Sequence, residues 1–250
     1  MSQLKLIKKE LKELSSPAKA KILQRFFKTG PGEYGEGDIF IGVTVPETRS
    51  VAKQFKDLSL GDTISLLHSP IHEERLCALF ILIERYKKSS AQEKNKVYKI
   101  YLKNQKYINN WDLIDLSAEK IMGDFLFNKD KQILYRLARS KNLWARRIAI
   151  MATFYFIRNR FFGDTLRIAK ALLHDEEDLI QKAVGWMLRE VGKRNLKTEE
   201  GFLRTHYKKM PRTMLRYAIE RFPETKRQRY LKGIITLRAS NGRKAIQKHK

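Results

Sequence analysis

The chain has 250 residues and carries 52 lysines and arginines against 27 acids, a formal net charge of +25. With 42% hydrophobic residues it can bury a core and is not a disordered chain, and its excess of cations points to a polyanionic partner, nucleic acid before an anionic membrane. Cys77 is the single cysteine, which excludes an intrachain disulfide and fits a reducing cytoplasm.

In chain order, residues 2–14 and 17–28 read as helices, with Ser16 as N-cap and Pro17 at the first helical position. The opening stretch is amphipathic and lacks the apolar run of a signal peptide, and no segment reaches the roughly 18 apolar residues of a membrane span. A glycine-rich interhelical loop follows over 30–46. Gly30, Gly32 and Gly35 spell G-x-G-x-x-G, but that motif must follow a strand and open a helix. Here it follows a helix and runs into the extended "DIFIGVTVP", so a dinucleotide site is excluded. A further helix begins around Pro46. His68 and His72 are four apart but flank a Ser-Pro turn, which argues against a metal site.

From residue 66 the chain repeats itself. "LLHSPIHEERLCALFILIERYKK", "LARSKNLWARRIAIMATFYFIRN" and "LLHDEEDLIQKAVGWMLREVGKR" each set an apolar pair, a polar turn and an apolar helix in the same order. Their equivalent positions are Arg75, Arg146 and Gln181, and two weaker copies place Asn110 and Arg216 in register, at steps of 35 or 36 residues. Such a period with two helices per unit predicts an all-α fold, a right-handed α-solenoid of HEAT-like two-helix repeats with a concave basic face. One solenoid domain is expected over 1–238, followed by a basic tail, 239–250.

Within "INNWDLIDLSAEK", Trp111 and Asp115 are four apart and share a helix face, whereas Asp112 lies about 100° away and reads as structural. Stacking the repeats brings Trp111 and Asp115 near Arg146–Arg147 and Gln181–Lys182, with Trp186 one turn further and Arg189 beyond it. Two indoles, one carboxylate and several cations on one face suit a cationic sugar. The carboxylate and the indole faces stabilise positive charge and can orient water, while Arg146, Arg147, Lys182 and Arg189 hold phosphates. The plainer reading is a core tryptophan pair with Asp115 bound to Arg147 across a repeat boundary.

"NNWDLIDLSAEKIMGDFL", "LWARRIAI" and "IQKAVGWMLRE" resemble the AlkD-like DNA alkylation repair glycosylases, over about residues 17–232. The resemblance implies a monofunctional glycosylase of base excision repair that hydrolyses N3- and N7-alkylated purines from duplex DNA. It would do so as a monomer, without cofactor or metal, in the cytoplasm with the nucleoid. It assigns Asp115 as the catalytic carboxylate, Trp111 and Trp186 as its partners at the sugar, and Arg147 to the phosphate near the lesion. Phe26 stands where the family pattern has a tyrosine, which keeps an aromatic wall and loses a hydroxyl. Thr44 and Arg49 would be DNA contacts. The family is known for contacting deoxyribose and backbone without drawing the base into a pocket. The alternatives are a non-catalytic HEAT-repeat binder of damaged, branched or distorted DNA, and a protein-binding scaffold.

Overall fold

The computed structural model describes residues 2–235, so the basic tail expected at 239–250 lies outside the described residues. All the regular structure described is helical. Helices α1 (Gln3–Glu13), α2 (Pro17–Phe26) and α3 (Val45–Gln54) open the chain. Ser2, Ser16 and Thr44 cap them through side-chain oxygens, and at Thr44 the partner Glu47 completes a capping box. Pro17 opens α2 as the sequence predicts.

Helix pairs then follow one another. The first is α4 (Leu60–Leu67) with α5 (His72–Lys87). In the second, α6 (Ala91–Lys103) precedes α7 (Trp111–Ala118), which runs through a π-helical turn, Glu119–Gly123, into α8 (Asp124–Leu126). The remaining pairs are α9 (Gln132–Ala138) with α10 (Leu143–Arg158), α11 (Gly163–Ala171) with α12 (Asp178–Arg194), and α13 (Leu196–His206) with α14 (Arg212–Ala218). Helix α15 (Glu224–Leu231) ends the described chain. Consecutive second helices α5, α7, α10, α12 and α14 pack on each other, and one continuous apolar core from Ile7 to Tyr230 joins the pairs. This is an α-solenoid. The second helices are its inner structural layer: α5 and α10 bury most of their residues, because each is covered by its own partner and by both neighbours.

Hydrogen bonds identify the repeat directly. Arg75 donates to the carbonyls of Ser69 and Pro70, Arg146 to those of Ser140 and Lys141, and Gln181 to those of Asp175 and Glu176. Each reaches the carbonyls five and six residues back and closes the turn that precedes its own helix. Asn110 departs from the predicted register. It is the N-cap of α7, a full helical turn earlier than its expected equivalents, with its side-chain oxygen on the Trp111 amide.

A second repeated device sets how closely the second helices approach. A Cβ on Gly123 would lie 2.3 Å from the Ala152 carbonyl oxygen and 2.7 Å from Tyr155 Cβ. One on Gly185 would lie 2.4 Å from the Met214 carbonyl oxygen and 2.5 Å from Tyr217 Cβ. In both places glycine lets one second helix rest on the backbone of the next. Gly185→Ala is therefore expected to cost about 1–3 kcal/mol through overpacking. Gly201→Ala, inside α13 with open space around it, should be neutral or stabilise by up to about 1 kcal/mol. Chemical denaturation of both variants checks the pair, and equal stabilities would remove the close-packing argument.

Candidate nucleic-acid site

The site begins at the N-terminus of α7. Asn110 fixes the first turn and Trp111 is its first helical residue. The half-buried Trp111 indole is held from three sides. Phe27 stacks on it with ring centroids 4.9 Å apart, Phe26 meets it edge-on at 5.8 Å, and its Nε1–H donates to the Tyr34 hydroxyl at 3.3 Å. Trp186, on α12, packs against Phe154 at 6.0 Å and donates its Nε1–H to Glu190 at 3.3 Å. Both indoles line a single cavity of about 560 Å³, together with Phe26, Tyr34, Arg147 and Lys182. The tryptophans therefore face an open concavity in addition to packing on the core.

Asp115 sits behind this cavity. Its carboxylate receives two parallel hydrogen bonds from Arg147, Nε to Oδ1 at 2.9 Å and Nη2 to Oδ2 at 2.7 Å. Arg147 also donates through Nη1 to the Leu179 carbonyl at 2.5 Å, so one guanidinium joins α7, α10 and the start of α12. The Asp115 side chain is only 14% exposed. Burial raises its pKa above the usual aspartate range, Arg147 opposes the rise, and the nearby Asp112 carboxylate adds to it.

Asp112 has the structural role the sequence suggests. It accepts from His72 Nε2 at 2.8 Å, and His72 Nδ1 lies 3.1 Å from Asp38. Arg75 and Asn110 also donate to Asp38, at 2.6 and 3.1 Å. Next to this cluster, Glu73 accepts the backbone N–H groups of Ile41, Gly42 and Val43. The extended segment after the glycine-rich loop is thus clamped onto α5 and α7. Phe40 stacks on His72 at 4.3 Å, Phe27 on Phe40 at 4.8 Å, and Trp111 on Phe27, so a continuous stack of rings runs from the buried cluster to the cavity.

Sequence reasoning missed Tyr34. Phe26 itself carries no hydroxyl and is largely exposed, but the glycine-rich loop brings the Tyr34 hydroxyl to the same wall. Its one signal was a lone aromatic among the glycines of "GPGEYGEG". Tyr217 of α14 also lines the cavity and carried no signal at all.

Four expected DNA contacts do not line the aromatic cavity. Arg146 spends its donors on Asp175 and on the turn before α10. Arg189 is paired with Glu220, and Thr44 caps α3 with its hydroxyl 2.6 Å from Glu47. Arg49 lies over the Phe80 ring at 4.1 Å. Among the described residues no group of histidine, cysteine or acidic side chains could hold a metal ion, and no helix is long and apolar enough to cross a membrane.

Fold and site together define a basic α-solenoid whose second helices hold two tryptophans and a buried carboxylate–guanidinium pair around one cavity. The sequence profile of the family described as DNA alkylation repair enzyme matches residues 7–222, and the chain belongs to that family. A solved structure described as a predicted DNA alkylation repair enzyme from Enterococcus faecalis superposes with a TM-score of 0.64 at 17% identity. It covers 84% of this chain and 97% of its own, a likeness of fold. A search of curated proteins finds no significant match.

The buried cluster titrates. Burial alone would keep His72 neutral, but the carboxylates of Asp112 and Asp38 outweigh it and raise the His72 pKa. A raised folded-state pKa gives stability that is complete below the ordinary histidine value of about 6.5 and is lost as pH rises through the folded value. His72→Gln should therefore lower the melting temperature most at mildly acidic pH, and the gap should narrow at alkaline pH. A melting-temperature difference that is constant across the series would show that the charged imidazole contributes nothing.

Proposed function

We propose that the protein is a monofunctional DNA glycosylase that releases N3- and N7-alkylated purines from duplex DNA. Membership of the repair family supplies DNA as the partner. The observation that carries the chemistry is the Asp115–Arg147 pair beside the cavity walled by Trp111 and Trp186. An alkylated purine is a cation and leaves as a neutral base, taking the electron pair of the C1′–N bond. The sugar left behind has oxocarbenium character and needs a negative charge and π faces next to it. Asp115 provides the first and the two indoles the second. Water then adds at C1′ and gives up a proton, which the carboxylate can direct.

In the free protein both Asp115 oxygens are held by Arg147, which itself faces the cavity. A backbone phosphate entering the cavity competes for that guanidinium. Transfer of Arg147 from carboxylate to phosphate places the phosphate and leaves Asp115 free for the sugar, so one exchange couples binding to chemistry. Lys182, with its side chain 40% exposed and paired with the exposed Asp178 at 2.6 Å, and the exposed Lys28 are further cavity cations that can meet the backbone.

Asp115→Asn is expected to reduce release of 7-methylguanine from methylated duplex by about 10²–10³-fold, with duplex affinity nearly unchanged. Release at the unmodified rate by a variant that melts normally would sink the assignment. The pH dependence gives a separate check. Because burial raises the Asp115 pKa in the free protein, kcat/KM should fall with decreasing pH at a value above the roughly 3.9 of an ordinary aspartate. Arg147→Gln removes the charge that opposes the rise, so the acid limb should move further up. An acid limb of kcat/KM that stays in place in that variant would take Asp115 out of the reaction.

A further inference from the structure

A second cavity, of about 520 Å³, opens at the far end of α10. Tyr86, Lys87, Lys94, Lys120, Tyr155 and Arg158 line it. The acids beside them are already engaged. Glu119 accepts from Arg158 at 2.8 Å, and Asp124 accepts from the Tyr86 hydroxyl at 2.6 Å and pairs with Lys94 at 3.5 Å. Lys120 is different. It is half-buried, projects from the π-helical turn, and has neither an ion pair nor a hydrogen bond among the described residues. Its ammonium lies within the field of Arg49, Lys87 and Arg158; burial and these like charges push its pKa down, against the opposing carboxylate of the adjacent Glu119.

Lysines and arginines in a last helical turn are ordinary complements to the helix dipole, which is sufficient for Lys87 and Arg158. It does not account for Lys120, which sits mid-helix where the backbone widens into a π turn, a feature often found at functional sites. A partly desolvated, unpartnered ammonium among cations is unfavourable in the free protein and becomes favourable once an anion arrives. The cations also form a band. Arg49 lies on α3, Lys87 on α5, Lys120 in the π turn and Arg158 on α10. Arg194, from the end of α12, shares the Phe154 ring with Arg158.

This band crosses the second helices at the opposite end from the aromatic cavity. Arg147 and Arg158 stand on one helix, eleven residues and so about 16 Å apart. Two tracks that cross the same helices at that separation match two sugar–phosphate backbones facing each other over a groove about 12 Å wide. We infer that the band centred on Lys120 binds the phosphodiester backbone of the second DNA strand, the one without the damaged nucleotide; this rests on the DNA-repair reading above.

The test is fluorescence anisotropy over a salt series, using an undamaged duplex and the single strand of the same sequence. The variant is Lys87→Gln/Lys120→Gln, which leaves the aromatic cavity intact, with Lys120→Arg as a second variant. Loss of two phosphate contacts should weaken duplex binding about tenfold at 0.1 M salt and flatten the log–log salt slope by about 1 to 2. Affinity for the single strand should be unchanged, and Lys120→Arg should keep the unmodified slope. An unchanged duplex slope, or equal losses on duplex and single strand, would overturn the assignment. If the unmodified protein bound neither form, the repair reading would fall instead, and this inference with it.

Discussion

Arg147 is held from both sides: Asp115 on α7 takes two of its donors and the Leu179 carbonyl at the start of α12 takes a third. Three successive second helices are therefore locked by one side chain on the middle helix. A buried ion pair of this kind is weak evidence for stability, because desolvation of both charges offsets much of their attraction. Its consequence is positional. The pair sets where the carboxylate and guanidinium stand relative to Trp111, beside the cavity that both tryptophans and Arg147 line. On the proposed reading, function requires that arrangement to be specific and also exchangeable, because the same guanidinium lines the cavity.

The polar cluster around His72 does for the N-terminal part what Arg147 does for the repeats. Asp38 comes from the loop, His72 and Arg75 from α5, and Asn110 and Asp112 from the start of α7. Each of these buried polar groups would be costly alone, and together they satisfy one another. The cluster fixes the loop, and the rings stacked on His72 carry that rigidity to Trp111. A loop rich in glycine can then deliver Tyr34 to the cavity in a defined place. This explains why an N-terminal segment outside the repeat pattern still belongs to the site.

The charge of the protein is distributed with the same economy. Many lysines and arginines are tied to acids or to turn carbonyls. On the proposed reading, those that would meet a polyanion are the ones left over or exchangeable: Arg147 and Lys182 at one end of the second helices, Lys120 at the other. Net charge alone could not distinguish these groups, because Arg146 and Arg147 are adjacent in sequence and have opposite tasks. Arg146 turns back to close its own interhelical turn, and Arg147 faces the cavity.

The sequence by itself determined the helical class, the two-helix repeat and which residues share a face of it. Apolar periodicity, proline and cap residues act locally, and a repeat of about 35 residues can stack in few ways, so Trp111, Asp115, Arg147 and Trp186 could be placed on one side before any coordinates. Only the tertiary structure decided which of those residues touch the cavity and which stand behind it. The register of Asn110 slipped by a turn because a cap and a helical residue look alike in a string of letters. Tyr34, Asp38 and Lys120 acquire their importance from partners tens of residues away, or from the want of one, and the folded chain alone brings those distances to a few ångströms.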